Sequence, residues 1–345
     1  MQQFKLRQFA AAALLAVGTL SGQVASAAEP SFTDLVIFGD SLSDTGNTSI
    51  ASGGFYPREG TTQPYFGGRY SNGLLWTEWL ASGLGAGTSG DAKPHRNGGN
   101  NYAYAGARTG YTTVDVPGLQ FQVQTIWGST HSAADPNALY VLVGGGNDMR
   151  DARSFDSGNE TANEFVRDLW AANAASSMKA SLDFLAQRGA KNVLISTLPD
   201  LGNTPEAAFL GLQSASSDAT ASFNAQVAGL MSFGASRGLN MTLLDMAGVV
   251  EAVRQDTLTN DAAVYGVLDI WAPCAGFNGS FGTPCAVAAF SDGLHPSARA
   301  HQIIADAAFQ ALGVTPVPEP ETVALMLAGL VMVGSAARRR SRNAA

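Results

Sequence analysis

The chain has 345 residues, of which 46% are hydrophobic and only 14% are charged. This composition is too apolar for a disordered protein and is sufficient for a substantial core. The formal net charge of −8 and the pI near 4.9 argue against a nucleic-acid-binding protein, because phosphate binding requires clustered lysine and arginine.

The N-terminal segment has the order of a secretory signal peptide. Lys5 and Arg7, with no acidic residue, precede an apolar run over 9–20, and the small residues Ala25-Ser26-Ala27 follow at the spacing that a signal peptidase recognises. The alternative is a buried N-terminal helix. We predict a signal peptide over 1–27 and therefore an exported protein.

Residues 28–313 are predicted to form one domain of alternating strands and helices. Helical patterns separate apolar, β-branched runs, and continuous apolar runs suit strands that are buried on both faces of a parallel sheet. We therefore expect an α/β fold with helices on both faces of the sheet. The predicted strands are Asp34–Gly39, Ala138–Gly144, Lys191–Thr197 and a weaker Met241–Asp245, and the predicted helices are Leu74–Leu84, Asn163–Arg188, Ala219–Arg237 and Ser297–Leu312.

Polar residues follow these runs at the edge where such sheets bind ligands, the carboxyl ends of the strands. Ser41 follows the first strand and Asn147 follows the second, while Asp292 and His295 precede the last helix. A hydroxyl, an amide and an Asp/His pair at one edge suffice for acyl transfer.

The two cysteines, Cys274 and Cys285, are separated by a stretch that is rich in glycine and proline. An even cysteine count in an exported chain favours a disulfide, which here closes a surface loop. A metal site would need further ligands nearby, and none is evident.

Several sequence blocks resemble the GDSL/SGNH hydrolases, in that family's order and across 34–312. The block over 35–47 (LVIFGDSLSDTGN) resembles the first, 99–110 (GNNYAYAGARTG) the second and 140–148 (YVLVGGGND) the third. DGLHP over 292–296 resembles the fifth block, and GRYSNGLLWTEWL over 68–80 is similar to a segment of secreted lipase-like members. The resemblance implies a three-layer α/β/α sandwich with a mainly parallel, flavodoxin-like sheet of about five strands.

The resemblance also implies roles for individual residues. Ser41 would be the nucleophile, His295 its base and Asp292 the residue that orients the imidazole. The oxyanion hole would consist of the backbone N–H groups of Ser41 and Gly106 and the side-chain amide of Asn147.

Structural roles remain as alternatives for several of these residues. Ser41 could cap a helix, and Asn147 could shape a turn. For Asp40 and Asp44 we favour turn or capping roles over catalysis.

A second serine and three other histidines are weaker candidates. Ser236 lies in a G-x-S-x-G sequence, but a helical pattern precedes it and a strand follows, the reverse of the order in a nucleophile elbow. His301 is expected on the surface of the last helix, and His95 and His131 in polar loops.

The C-terminal region over 314–345 resembles the PEP-CTERM sorting signal of Gram-negative bacteria. Pro318-Glu319-Pro320 precedes an apolar stretch over 322–337, and an arginine cluster beginning at Arg338 closes it. The resemblance implies transient membrane association, cleavage by an exosortase and delivery to the periplasm, the cell surface or the extracellular matrix. An ordinary membrane anchor is the alternative.

The predicted function is hydrolysis of carboxylic esters through an acyl-Ser41 intermediate, on a lipid or an acylated glycan. The aromatic stretch Phe55–Trp79 could line an acyl pocket or pack in the core. No P-loop, dinucleotide fingerprint or H-E-x-x-H motif is present, so no cofactor or metal is implied. An acyltransferase with the same triad and a non-catalytic matrix protein on the same fold remain as alternatives.

Overall fold

The computed structural model describes residues 31–57, 65–85, 92–111, 116–274, 276 and 282–316. These residues belong to one compact unit, Ser31–Ala345. The predicted signal peptide and the apolar C-terminal stretch lie outside the described residues. Within the described ranges, no helix has both the length and the apolar character needed to cross a bilayer.

The centre of the fold is a parallel sheet, as the sequence predicts. Its strands pair in chain order, and each described strand begins and ends within one residue of its predicted bounds. All five residues of β1 and of β2 are buried, which explains their unbroken apolar sequences. The strands are β1 (Leu35–Gly39), β2 (Leu139–Val143), β3 (Asn192–Ser196) and β4 (Asn240–Leu244).

An irregular segment occupies a fifth position beside β1. The N–H of Ile37 donates to the carbonyl of Asn100 (2.9 Å), and the N–H of Tyr102 donates to the carbonyl of Ile37 (2.7 Å). With this segment first, the spatial order corresponds to the 2-1-3-4-5 order of flavodoxin-like sheets. The segment does not continue as a regular strand. The buried side-chain amide of Asn101 donates to the carbonyl of Ser43 (2.6 Å), in the loop after β1.

The predicted helices are present, and further ones lie between them. Polar N-caps define several starts, including Asn159, Thr204, Asp245 and Ser297, each of which accepts a backbone N–H from the first turn. The helices are α1 (Asn47–Ala51), α2 (Trp76–Leu84), α3 (Leu119–Phe121, continued by a π-helical turn, Gln122–Trp127), α4 (Gly146–Ala152), α5 (Glu160–Gln187), α6 (Pro205–Leu210), α7 (Gln213–Ser236), α8 (Met246–Thr259) and α9 (Ala298–Leu312).

The two faces of the sheet contact different helices, because successive side chains of a strand point to opposite sides. On one face, Phe38 and its neighbours pack with α5 and α7, and on the other Ile37 and its neighbours pack with α2 and α9. The result is the predicted three-layer arrangement, with the carboxyl ends of the strands exposed to the loops. Cys274 and Cys285 form the predicted disulfide in the chain between α8 and α9.

Candidate active site

The loop after β1 places Ser41 at the carboxyl end of the sheet. Gly39 ends β1 so close to β2 that a Cβ there would lie 2.6 Å from the carbonyl oxygen of Val143. Asp40 accepts the N–H of Leu42 (3.0 Å), and Asp44 accepts the N–H groups of Gly46 (2.8 Å) and the first residue of α1 (2.6 Å). The two carboxylates therefore shape the turn that carries Ser41, as expected.

Ser41, His295 and Asp292 form one hydrogen-bonded chain. The distance from Ser41 Oγ to His295 Nε2 is 2.9 Å, and that from His295 Nδ1 to Asp292 Oδ2 is 2.7 Å. A carboxylate beside Nδ1 requires the proton of a neutral imidazole to be on that nitrogen, so Nε2 is left to accept the hydroxyl proton of Ser41. This is the geometry of a nucleophile with its general base.

Asp292 is held as a carboxylate by its neighbours. Burial alone would raise its pKa, but the charge of His295 and the hydrogen bonds from His295 and Tyr65 lower the pKa well below its usual value. Its Oδ1 also accepts the N–H groups of Leu294 and His295, both at 2.7 Å. The carboxylate thus stays charged at neutral pH and is fixed in orientation.

The backbone N–H groups of the two predicted main-chain oxyanion donors have no acceptor. Within the described part of the chain, neither the N–H of Ser41 nor that of Gly106 makes a hydrogen bond. Gly106 has a φ of 82°, a left-handed conformation that favours glycine. Unpaired N–H groups are rare in buried loops and suit an oxygen that becomes negatively charged during a reaction.

Asn147 lies in the first turn of α4, after β2. One N–H of its side-chain amide donates to the carbonyl of Ala107 (3.0 Å), the residue after Gly106, and the second N–H is available to a ligand. The next residue, Asp148, accepts from both the N–H (2.9 Å) and the hydroxyl (2.8 Å) of Thr109. These bonds join the Gly106 loop to α4.

A largely apolar cleft extends from Ser41 and His295 along the end of the sheet. It encloses about 110 Å³ of free space, beneath a wider mouth that opens to solvent. Aliphatic residues from β2, the loop after β3, α8 and α9 supply most of the wall, namely Val143, Leu198, Leu201, Val249, Val250, Val253, Ala300, Ile303 and Ile304.

None of the described residues in the aromatic stretch Phe55–Trp79 lines this cleft. Trp76 is buried in the core beneath α9, whereas Phe55 is mostly exposed. Tyr65 and Tyr70 lie beside Asp292 and His295 instead: the Tyr65 hydroxyl donates to Asp292 Oδ2 (2.6 Å), and the Tyr70 ring is 5.0 Å from that of His295. Packing in the core, the alternative to lining an acyl pocket, therefore holds for Trp76 but not for the whole stretch.

The weaker candidates, Ser236, His95 and His131, make contacts that stabilise the fold. Ser236 donates its hydroxyl to the carbonyl of Phe233 (2.7 Å) at the end of α7. His95 stacks on Tyr102, and His131 stacks on a buried tryptophan. The expectation that His301 is exposed is wrong.

His301 is buried because its ring accepts a hydrogen bond from an unpaired backbone N–H at the start of α2. It is 1% exposed, and its Nδ1 accepts the N–H of Trp76 (3.3 Å), a donor in the first turn of α2 that has no partner within the helix. Burial lowers the pKa of His301 to about 3, so the ring is neutral.

The sequence did not indicate an ion-pair cluster that adjoins the site. Glu206 in α6 pairs with Arg150 of α4 and with the buried Arg153, which directly follows that helix, each at 2.5 Å. Its backbone N–H donates to the carbonyl of Gly293 (2.7 Å), between Asp292 and His295. No motif or regular spacing marks Glu206, so only the folded structure reveals it.

Comparison with known proteins agrees with the block pattern. Residues 35–308 match the family described as GDSL-like Lipase/Acylhydrolase. The chain belongs to this family. Residues 316–341 match the PEP-CTERM protein-sorting motif, so this GDSL-like protein carries a sorting signal for export. Both predicted resemblances are confirmed.

The curated relatives include esterases and an acyltransferase. Esterase EstA of Pseudomonas aeruginosa is 31% identical over 351 aligned positions, which cover 90% of this chain and 51% of EstA. A phosphatidylcholine-sterol acyltransferase of Aeromonas hydrophila is 30% identical over 197 positions, 56% of this chain and 52% of that protein. The chain thus spans about half the length of these relatives.

Proposed function

We propose that this GDSL-like protein hydrolyses carboxylic esters through an acyl-enzyme at Ser41. The observation that carries the proposal is the hydrogen-bonded chain from Asp292 through His295 to Ser41, beside two unpaired backbone N–H groups. Membership of a lipase/acylhydrolase family supports the same reaction class.

The reaction proceeds in two steps with His295 as the proton carrier. Ser41 Oγ bonds to the acyl carbon while its proton passes to His295 Nε2. The bond to the alcohol oxygen then breaks, and that proton leaves with the alcohol. Water repeats the sequence on the acyl-Ser41 ester, and the free acid is released. Asp292 stabilises the imidazolium that forms in each step.

The negative charge of each tetrahedral intermediate would be stabilised by three donors. These are the N–H groups of Ser41 and Gly106 and the free amide N–H of Asn147, and each such donor typically contributes about 3–4 kcal/mol to transition-state stabilisation. The apolar cleft would bind the acyl chain, whether it comes from a lipid or from an acylated glycan, because buried aliphatic walls favour hydrocarbon over water.

Labelling with a fluorophosphonate, which reacts with activated serines, tests the proposal. Labelling should be lost in Ser41→Ala and retained in Ser236→Ala, because Ser236 lies in a helical turn without a base. Retained labelling in Ser41→Ala, or ester hydrolysis by that variant at the wild-type rate, contradicts the proposal.

The proposed site of action is outside the cytoplasm. The match to a PEP-CTERM motif supports membrane association during export, cleavage near Pro318 by an exosortase-type enzyme and delivery to the cell surface or matrix. Mass spectrometry of the surface-associated protein should then show a C-terminus upstream of the arginine cluster. Recovery of the intact C-terminus in all of the protein would instead indicate a permanent anchor.

Acyl transfer is the second candidate reaction, favoured by the similarity to an acyltransferase. In that reaction an alcohol replaces water in the second step, and a new ester forms. Product analysis with a soluble alcohol present separates the two reactions, since a hydrolase releases free acid as the main product at every alcohol concentration that leaves water in large excess.

A further inference from the structure

Residues 65–72, called the strap here, cross the loop that carries Asp292 and His295. The N–H of Asn72 donates to Ser291 Oγ (3.1 Å), and Asn72 Oδ1 accepts both that hydroxyl (3.1 Å) and the N–H of Ala298 (2.9 Å). The strap is thereby joined to the chain on both sides of the catalytic pair. It also contains the start of the sequence segment GRYSNG, to which the reaction itself gives no role.

The other end of the strap reaches the catalytic carboxylate. The Tyr65 hydroxyl donates to Asp292 Oδ2 at 2.6 Å, and that same oxygen lies 2.7 Å from His295 Nδ1. Burial, followed by the charge of Asp292, raises the pKa of Tyr65 above its usual value, so the phenol retains the proton that it donates.

Packing within the strap fixes the position of Tyr65. The rings of Tyr65 and Tyr70 lie 5.4 Å apart, and the Tyr70 ring is in turn 5.0 Å from the imidazole of His295. The strap thus orients a donor towards Asp292 and covers one side of the imidazole with an aromatic ring.

We propose that Tyr65 is a positioning residue that acts through Asp292, and that the strap exists to hold it against the catalytic pair. The inference rests on the proposed function, because it assigns Tyr65 to the same acyl transfer. By donating to Oδ2, Tyr65 withdraws charge from the oxygen that faces the imidazole and prevents the carboxylate from rotating.

The proposal has a consequence for the pH dependence of the reaction. Without the Tyr65 donor, the Asp292 carboxylate keeps more charge on Oδ2 and stabilises the positively charged form of the neighbouring imidazole more strongly. Since the base must be neutral to activate Ser41, the acidic limb of the pH profile moves upward when the donor is lost.

Other ionisable groups face this pair from the surrounding elements. Asp40, after β1, and His301, in α9, interact electrostatically with His295, and Tyr70 interacts with Asp292. Burial raises the pKa of Asp40 to about 6, so Asp40 titrates in the same range as the expected limb. The informative quantity is therefore the difference in the position of the acidic limb between the wild type and the Tyr65 variant, because both proteins contain Asp40.

The experiment compares the full-length Tyr65→Phe variant with the wild type and with Tyr111→Phe. Tyr111 is an exposed tyrosine whose hydroxyl bonds only to Thr125 among the described residues, so its variant loses a phenol hydroxyl away from the site. The rate of fluorophosphonate labelling of Ser41, and both kcat and KM for a soluble ester, are measured between pH 5 and pH 9 (about the range in which histidine titrates).

Tyr65→Phe should move the acidic limb upward by about half to one pH unit and lower kcat about tenfold on the plateau, with KM little changed. Tyr111→Phe should match the wild type in all three quantities. An unshifted limb in an active Tyr65→Phe protein overturns the inference, even if the rate is lower, because a purely structural role would not move the limb. If the wild type is not labelled at all, the proposed function itself fails.

Incorporation of 3-fluorotyrosine at position 65 keeps the test decisive if Tyr65→Phe does not fold. Fluorination makes the phenol a stronger donor with almost no change in shape. The acidic limb should then move downward, and an unshifted or raised limb overturns the proposal.

Discussion

The aliphatic walls of the cleft predict which acyl chains the enzyme prefers. The cleft is lined mainly by aliphatic residues, and its mouth opens to solvent. We therefore expect the first few methylenes of an acyl chain to be buried and those of longer chains to reach the mouth. Burial of each methylene is worth about 0.8 kcal/mol, or roughly fourfold in rate. From acetate to pentanoate, kcat/KM should rise about 60-fold and then level off or fall.

Two substitutions in the walls of the cleft should shift this preference in opposite directions. Ala300→Leu adds three carbons to the wall supplied by α9, so the pentanoate-to-acetate ratio should fall by about 60-fold, close to one. Val250→Ala removes two carbons from the wall supplied by α8, and the longest chain that is still favoured should increase by about two carbons.

A series of p-nitrophenyl esters from acetate to dodecanoate measures the effect. The ratio of two kcat/KM values in one protein sample is independent of the fraction of active enzyme, so partial misfolding of a variant does not distort it. Fluorophosphonate labelling confirms that Ser41 remains reactive. A wild-type rate that climbs steadily to dodecanoate, or an Ala300→Leu variant with an unchanged ratio, would refute the assignment of this cleft to the acyl chain.

Three further predictions concern the oxyanion donors, a buried acid and the ion-pair cluster. Asn147→Ala should lower kcat about 100- to 1,000-fold with little change in KM, and steady-state kinetics showing a loss below tenfold would contradict the oxyanion role. For Asp40, burial raises the pKa to about 6, so the unfolded state loses this proton first and the contribution of Asp40 to stability falls as the pH rises from about 4 to 6. Urea unfolding should therefore show Asp40→Asn gaining on the wild type by up to about 3 kcal/mol across that range and no further above it, and a constant difference would contradict the assignment. Glu206→Gln leaves the buried Arg153 unpaired and should lower the free energy of unfolding by about 3 kcal/mol, whereas the control Glu251→Gln, in an exposed pair, should change it by less than about 1 kcal/mol. Equal effects would contradict a special role for Glu206.

The sheet and its catalytic edge could be predicted because local signals mark them. Strands buried on both faces require unbroken apolar runs, and Gly39 is required where β1 approaches β2 closely. The family resemblance implies a fifth strand, but the sequence does not show where it lies. The segment around Asn101 lacks an apolar run and forms hydrogen bonds through a polar side chain. The helix α8 also escaped prediction, since only three of its fourteen residues are buried and its apolar pattern is weak.

A hydrogen bond between residues far apart in the chain explains why the predicted exposure of His301 is wrong. His301 lies on a helix whose sequence offers both polar and apolar faces, and the sequence alone gives no reason to bury it. The reason is the unpaired N–H at the start of α2, more than 200 residues earlier in the chain. A partner at such a distance leaves no periodic signal, because its spacing depends on the assembled fold.

The loop that carries Asp292 and His295 is held by contacts with residues outside the proposed triad and oxyanion hole. The N–H of Glu206 donates to the carbonyl of Gly293, and the Glu206 carboxylate pairs with Arg150 of α4 and with Arg153, which directly follows that helix. On the other side, Asn72 holds Ser291. Ser41, in contrast, is placed by the loop that directly follows β1 of the sheet. The distance between nucleophile and base therefore depends on these ties as much as on the catalytic residues themselves. Substitutions at Glu206 or Asn72 should therefore change the distance between His295 and Ser41, although neither Glu206 nor Asn72 contacts Ser41. A substitution at Ser236, at the exposed end of α7, should leave that distance unchanged.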